Sequence, residues 1–317
     1  MLFLFICFIS FLIGFRGEDV GTDTYSYMFI YDDIISNGYS GFPEPLYGVF
    51  CLISGLAGMS FQVSQTFMTF MALSFTFAAI KKQSLNYSLS AFLMISMYFV
   101  FYAMNIYREM MACFIVIYGC VILSDENEKH NVLKFLLVVA VSVGFHYSSV
   151  LMLLLILLRK FQMKDTYILW GFLLSILLGI IDITNSLSSL MGGYASYLEK
   201  EQYVRGGAKL LMAFSLSAYW SLGFFYMYKN SDANFRNSLY MKMFFLGILI
   251  FNLLVRQDLG LRLILYFLYP LIIGIPLFIY TQNNILKNQI MVILYTSLYF
   301  VVFSISDSAD VIPYRID

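Results

Sequence analysis

Arginines and carboxylates carry the chemistry available to this chain, and they recur in short polar islands between long apolar runs. The stretch "RGEDVGTDTYSY", residues 16 to 27, sets Arg16 beside Glu18, Asp19 and Asp23 and several hydroxyl side chains. In "NIYREMMA", Arg108 stands where a short turn enters the next apolar run, with Asn105 and Tyr107 close by. In "RQDLGLR", residues 256 to 262, Arg256 and Arg262 flank a turn. An arginine fork stays charged when partly desolvated and grips phosphate or carboxylate through parallel bonds. Arg108, Arg256 and Arg262 therefore suit a diphosphate. The plainer alternatives are a snorkelling Arg108 paired with Glu109, and an ion-pair staple made of the two turn arginines and Asp258. His146, in "GFHYSS", either satisfies a core hydrogen bond or serves a phosphate or a hydroxyl proton. His130, in "DENEKH", reads as solvated. Glycine pairs bracket "YASYLEKEQYVR", where Tyr194, Tyr197 and Tyr203 form either a lid that stacks on sugar rings or ordinary interface tyrosines.

The elements that must hold these islands are hydrocarbon. Of 317 residues, 61% are hydrophobic and 12% charged, with a mean hydropathy of +0.79. No water-soluble domain has that composition. The predicted fold is all-α, a polytopic integral membrane protein. A crossing helix needs about 20 apolar residues, fewer where the path thins, and the runs yield about eleven transmembrane helices, within a range of about 10 to 12. They fall at residues 2–15, 61–80, 89–104, 110–123, 132–145, 147–158, 167–183, 210–228, 239–255, 261–280 and 289–305. The first reads as a short span, or one whose start is truncated, because no basic residue precedes it and no small-residue cleavage pattern follows. The whole chain, 1–317, is read as a single transmembrane domain.

With nineteen basic and nineteen acidic residues the net charge is zero, which gives no reason to expect a nucleic-acid partner. Cys7, Cys51, Cys113 and Cys120 lie in apolar runs without ligand spacing, so they read as core residues, not as disulfides or a metal site. Walker A, GxGxxG, HExxH and serine-elbow motifs are absent from the sequence.

Orientation follows from lysine. Lys81, Lys82, Lys129, Lys134, Lys160, Lys164, Lys229, Lys242 and Lys287 occupy alternate loops, which marks that side as cytoplasmic. The opposite side carries six arginines and fourteen of the nineteen carboxylates. Such a face suggests an external chamber for an anionic ligand. Leu46 to Gly58 is apolar, but a helix of that length reaches about 20 Å against a hydrocarbon core of about 30 Å. It is therefore read as juxtamembrane or re-entrant, which leaves residues 16–60 in one external loop. Within that loop Thr22 to Ser36 reads as a surface helix with Tyr25, Phe29 and Ile30 toward lipid, hinged to the next by "NGYSGFPEP". Residues 184–208 form a second large external loop.

Taken in order, "RGEDVGTDTYSY", "EPLY", "NIYREMMA", "FHYSS", the arginine turn before "RLILYF", and the terminal "IPYR" resemble the EpsG-like group of Wzy polymerases. The series runs through nearly the whole chain. It departs from the family pattern in its brief first span and in a spacing slightly longer than RxxxGTDT, which bears on the role of Arg16. The resemblance implies a GT-C-like architecture with external juxtamembrane helices, and synthesis of O-antigen or exopolysaccharide at the outer face of the bacterial inner membrane. Undecaprenyl-diphosphate-linked oligosaccharide would be donor and acceptor, with membrane lipid around it, a chain-length regulator as a further partner, and no cofactor or metal. On that reading Arg16, Arg108, Arg256 and Arg262, with Asn105 and Tyr194, bind substrate. Asp23 or Glu44 orients or deprotonates the acceptor hydroxyl, and His146 assists. Rival readings are an O-antigen ligase, a flippase or transporter, which would spread charge through the bundle, and a membrane acyltransferase relying on His146.

Overall fold

The computed structural model describes residues 1–39, 43–182, 205–307 and 309–316. It is helical, with no strand among the described residues and one antiparallel bridge, Arg16 to Ile316. The helices are α1 (Leu2–Gly14), α2 (Thr24–Asn37), α3 (Pro45–Leu56), α4 (Phe61–Gln83), α5 (Tyr87–Ser96), α6 (Phe99–Asn105), α7 (Tyr107–Ser124) and α8 (Asn131–Phe145). A 3-10 turn at Tyr147–Leu153 leads into α9 (Leu154–Leu158). There follow α10 (Asp165–Ile181), α11 (Gly207–Lys229), α12 (Ala233–Arg236), α13 (Leu239–Leu253), α14 (Leu259–Leu268), α15 (Leu271–Thr281) and α16 (Ile285–Ile305).

Each of the expected crossings falls on one of these helices or on a broken pair. Four of them, α4, α7, α11 and α16, are long and apolar enough to cross a membrane alone. Two crossings are bent pairs: α5 with α6, at 49°, and α14 with α15. The causes are local. Tyr98 takes a left-handed conformation, φ 68°, between α5 and α6. Pro270, between α14 and α15, brings no N–H to the helical ladder. The remaining crossings fall on shorter apolar helices, and the stretch expected as a helix from residue 147 begins instead as a 3-10 turn. There Ser149 Oγ donates to the His146 carbonyl at 2.8 Å.

The chain divides into two compact units, Met1–Leu154 with Ile275–Asp317, and Leu155–Gly274. In the first, α7 is the centre. Among its residues only Arg108, Tyr118 and Ser124 escape burial, as expected of a helix that is apolar all round. It packs on α4, α6 and α8, and α4 in turn packs on α1. In the second unit α13 lies against α10, α11 and α14.

The first loop is two helices, as its pattern predicts. Along α2, Thr24, Tyr27, Tyr31 and Ile34 point inward, while Tyr25 and Phe29 are 68% and 66% exposed. Along α3, Tyr47, Gly48, Cys51 and Ser54 are buried, and Leu46, Val49, Ile53 and Leu56 form an outward apolar stripe. Both therefore present one face to the unit; the outward face of α3 is an apolar stripe, and that of α2 mixes Tyr25, Phe29 and Ile35 with Asp32 and Asp33. Cys113 and Cys120 join Cys51 in the core, and Cys7 is half-buried.

Candidate functional site

Three helix ends meet in the first unit, and between them they deliver four charged or titratable side chains. Glu44 is the N-cap residue of α3, followed by Pro45 at the first helical position, where proline's missing donor costs nothing. Arg108 and Glu109 occupy the first turn of α7, directly after a backbone break at Ile106, φ −85° and ψ 60°. His146 terminates α8 in extended conformation, φ −160° and ψ 124°. Breaks of this kind in a membrane protein expose backbone and side chains at depth, and they are tolerated where protein or a cavity surrounds them.

Glu44 is 4% exposed, and its side chain makes no capping hydrogen bond to its own helix end. Its two oxygens are used elsewhere: Oε2 accepts from Arg108 Nη1, and Oε1 lies 2.5 Å from His146 Nδ1. Paired with a guanidinium, Glu44 is a carboxylate and accepts only, so the imidazole proton belongs on Nδ1. With Nδ1 directed at Glu44, Nε2 is the ring nitrogen left to face other groups. A second carboxylate, Glu109, is 2% exposed and holds Oε2 3.9 Å from that Nε2.

Tyrosines wall this cluster. The Arg108 guanidinium carbon lies 5.4 Å from the Tyr27 ring centre and 5.6 Å from that of Tyr47. Tyr27 in turn approaches Tyr47 and Tyr107, with centroids 6.4 and 5.9 Å apart. Stacking on π-faces holds a cation in place without consuming its hydrogen-bond donors. Tyr107 itself is anchored through its hydroxyl, 2.9 Å from the Gln65 carbonyl and 3.0 Å from Thr69 Oγ1, both on α4.

The opening motif acts on the same break from behind. Gly21 has φ +84°, and a Cβ there would meet the Met104 carbonyl at 2.5 Å, so backbone touches backbone. Thr24 Oγ1 donates to the Val20 carbonyl at 2.5 Å and lies 3.3 Å from that of Met104. The Asp23 N–H donates to Asn105 Oδ1 at 3.2 Å. Arg16, 1% exposed, donates from Nε to Thr24 Oγ1 at 3.0 Å and from Nη1 to the Ile13 carbonyl. Its guanidinium carbon sits 5.3 Å from the Tyr107 ring centre, and among the described residues no carboxylate pairs with it. The terminal "IPYR" is stitched to the same loop. Gly17 N–H donates to the Arg315 carbonyl, Arg315 pairs with Asp19 at 2.9 Å, and the Tyr314 hydroxyl donates to the Leu12 carbonyl.

The structure thus brings Glu44, Arg108 and His146 into direct contact, and lays Asp23, Asn105 and Arg16 along the segment that precedes Arg108. Arg256 and Arg262 belong to the second unit. Beside them Asp258 does take part in a staple, but with Arg205, whose Nε is 2.9 Å away and whose N–H donates to the Arg256 carbonyl. Tyr194 lies outside the described residues, as do Tyr197, Tyr203 and most of the 184–208 loop. Sequence reasoning missed Glu109 except as a neighbour of Arg108, and missed the tyrosine wall. The usable signal was the buried-face spacing of Thr24, Tyr27 and Tyr31 on α2. Among the described residues no three His, Cys, Asp or Glu side chains are arranged to hold a metal ion.

At the far end of α7 the chemistry differs. Lys82 pairs with Glu128 at 2.6 Å, and Lys134 pairs with the same carboxylate. The two lysines hold Glu128 well below its ordinary value, at about 2, so this exposed clasp stays charged.

No curated protein and no solved structure matches the chain. The family model described as EpsG family matches residues 1–316. The chain therefore belongs to the EpsG family, a family of Wzy-like polymerases.

Proposed function

We propose that this protein polymerises polysaccharide repeat units, moving the growing glycan from undecaprenyl diphosphate onto the non-reducing end of a lipid-linked repeat at the external face of the inner membrane. Family membership supports repeat-unit polymerisation in general. The observation that carries the finer reading is the carboxylate of Glu44 shared between Arg108 and His146.

The acceptor hydroxyl attacks the donor's anomeric carbon, and the bond to the lipid diphosphate breaks with its electron pair. The leaving group needs preorganised positive charge where its own negative charge develops. Arg108, steadied by two tyrosine faces, supplies it. The hydroxyl proton goes to His146 Nε2, with Glu44 fixing the tautomer and stabilising the imidazolium, as a carboxylate does in an acid–base–histidine relay. Arg256 and Arg262 are assigned to the second lipid diphosphate, and Arg16 and Asp23 to support of the Arg108 segment.

The test is the lipid-linked and surface glycan profile of a deletion strain complemented with wild type or Arg108→Ala. Accumulated single repeats in the deletion strain, and in Arg108→Ala at normal protein level, are expected. Full-length polymer in the deletion strain overturns the function, and an unchanged chain-length distribution in Arg108→Ala overturns that residue's role.

A further inference from the structure

His146 is flanked by two buried carboxylates, one on each ring nitrogen. Nδ1 is committed to Glu44 at 2.5 Å, while Nε2 faces Glu109 across 3.9 Å. The second gap is too long for a hydrogen bond, so the two groups stand apart in this geometry. Once Nε2 gains a proton the same pair becomes donor and acceptor, and about 1 Å of side-chain motion closes it. Contacts of acid–base groups are often long in the unliganded state and tighten only in the reacting complex. Glu109 is well placed for this role. It is 2% exposed, fixed in the first turn of α7, and faces the ring nitrogen opposite the one held by Glu44.

We infer that Glu109 is a further catalytic residue, the group that receives from His146 Nε2 the proton taken off the acceptor hydroxyl. The inference rests on the polymerase reading above and names the proton's destination within it. The step balances. The acceptor O–H bond breaks and Nε2–H forms while the new glycosidic C–O bond is made and the donor C–O bond to diphosphate breaks, its electron pair leaving with the diphosphate. Nε2–H then passes its proton to Glu109 Oε2, which restores the neutral imidazole for the next unit, and the proton departs to solvent. A contact that strengthens only when the imidazolium forms accelerates the reaction without tightening substrate binding. The ring is faced by Glu44 before α3 and Glu109 on α7; around those two, Arg108 pairs with Glu44 and lies over Tyr27 on α2 and Tyr47 on α3, and Cys113 on α7 lies near Glu109.

The experiment uses the full chain in reconstituted membranes, with the lipid-linked oligosaccharide extracted from host cells that lack this protein as substrate. Rates are followed from pH 6 to 9. For Glu109→Gln, kcat is expected to fall roughly 100-fold with KM within twofold, and the rate to depend on pH differently from wild type. Glu109→Asp keeps the carboxylate but shortens its reach, and is expected to recover part of the loss. Should Glu109→Gln fail to accumulate, Glu109→Asp alone decides, with a fall in kcat of at least about fivefold expected. A kcat within twofold of wild type for either variant, or a loss confined to KM with the pH profile unmoved, overturns the proposal. If wild type itself makes no polymer from this substrate, it is the polymerase reading that fails, and Glu109 falls with it.

Discussion

Glu44 links a guanidinium 64 positions away to an imidazole 102 positions away. Removing its charge therefore has two separable consequences. In Glu44→Gln the Arg108 charge loses its counter-ion, and breaking such a pair costs about 3 kcal/mol, less than for a fully buried pair because the Arg108 side chain keeps 23% exposure. The imidazole loses the charged acceptor that stabilises its protonated form and, against an amide that can also donate, its fixed orientation, so activity is expected to fall by roughly 100-fold or more. Thermal unfolding in detergent and polymer formation in membranes check the two parts. A stable Glu44→Gln protein with near-normal polymer would mean that His146 needs no orienting carboxylate. From sequence, Glu44, Arg108 and His146 were each legible as polar residues out of place beside apolar runs, but their convergence was not. Periodicity fixes neighbours one turn apart and says nothing about partners across such separations. Glu109 was obscured for the opposite reason. Its nearest opposite charge in sequence is Arg108, whereas across space it faces the imidazole.

At the scale of elements, the site depends on where helices stop. α7 begins at Tyr107 because Ile106 breaks from α6, and the loop before α2 presses on that break through Gly21, Thr24 and the Asp23 N–H. Gly21→Ala is expected to destabilise the protein by about 1–3 kcal/mol, since the residue would need both a left-handed backbone and space now filled by the Met104 carbonyl. It should also lower activity, by shifting Arg108 and Glu109 relative to Glu44. A lower melting temperature together with reduced polymer is the expected result, and an unchanged melting temperature would deny the loop its supporting role. The positions of the helices were largely legible: hydrocarbon runs longer than a membrane's half-thickness have few other solutions. Their internal breaks were not. Tyr98 in a left-handed conformation carries no glycine to announce it, and the 3-10 turn after His146 lies in "YSSVLML", which reads as continuous helix. The same applies to "RGEDVGTDTYSY". It looked like a reacting segment, and its described contacts are those of a buttress.

Across the molecule, α7 separates two kinds of charge within the first unit. One end carries Arg108 and Glu109 with their tyrosine wall, and the other runs into the clasp of Lys82, Glu128 and Lys134. Eighteen helical residues span about 27 Å, close to the hydrocarbon thickness of about 30 Å. The two ends can therefore reach opposite surfaces of a bilayer, and the proposed function, together with the bias of lysine toward the cytoplasm, expects the clasp on the cytoplasmic side and the site at the exterior. Single cysteines test this directly at two exposed positions of the same unit, Asp32 on α2 and Asn127 in the turn after α7. With a membrane-impermeant maleimide applied to intact spheroplasts, Asp32→Cys is expected to label at once and Asn127→Cys only after permeabilisation. The reverse pattern would place Glu44, Arg108 and His146 toward the cytoplasm, where a lipid-linked repeat already delivered to the outer leaflet could not reach them.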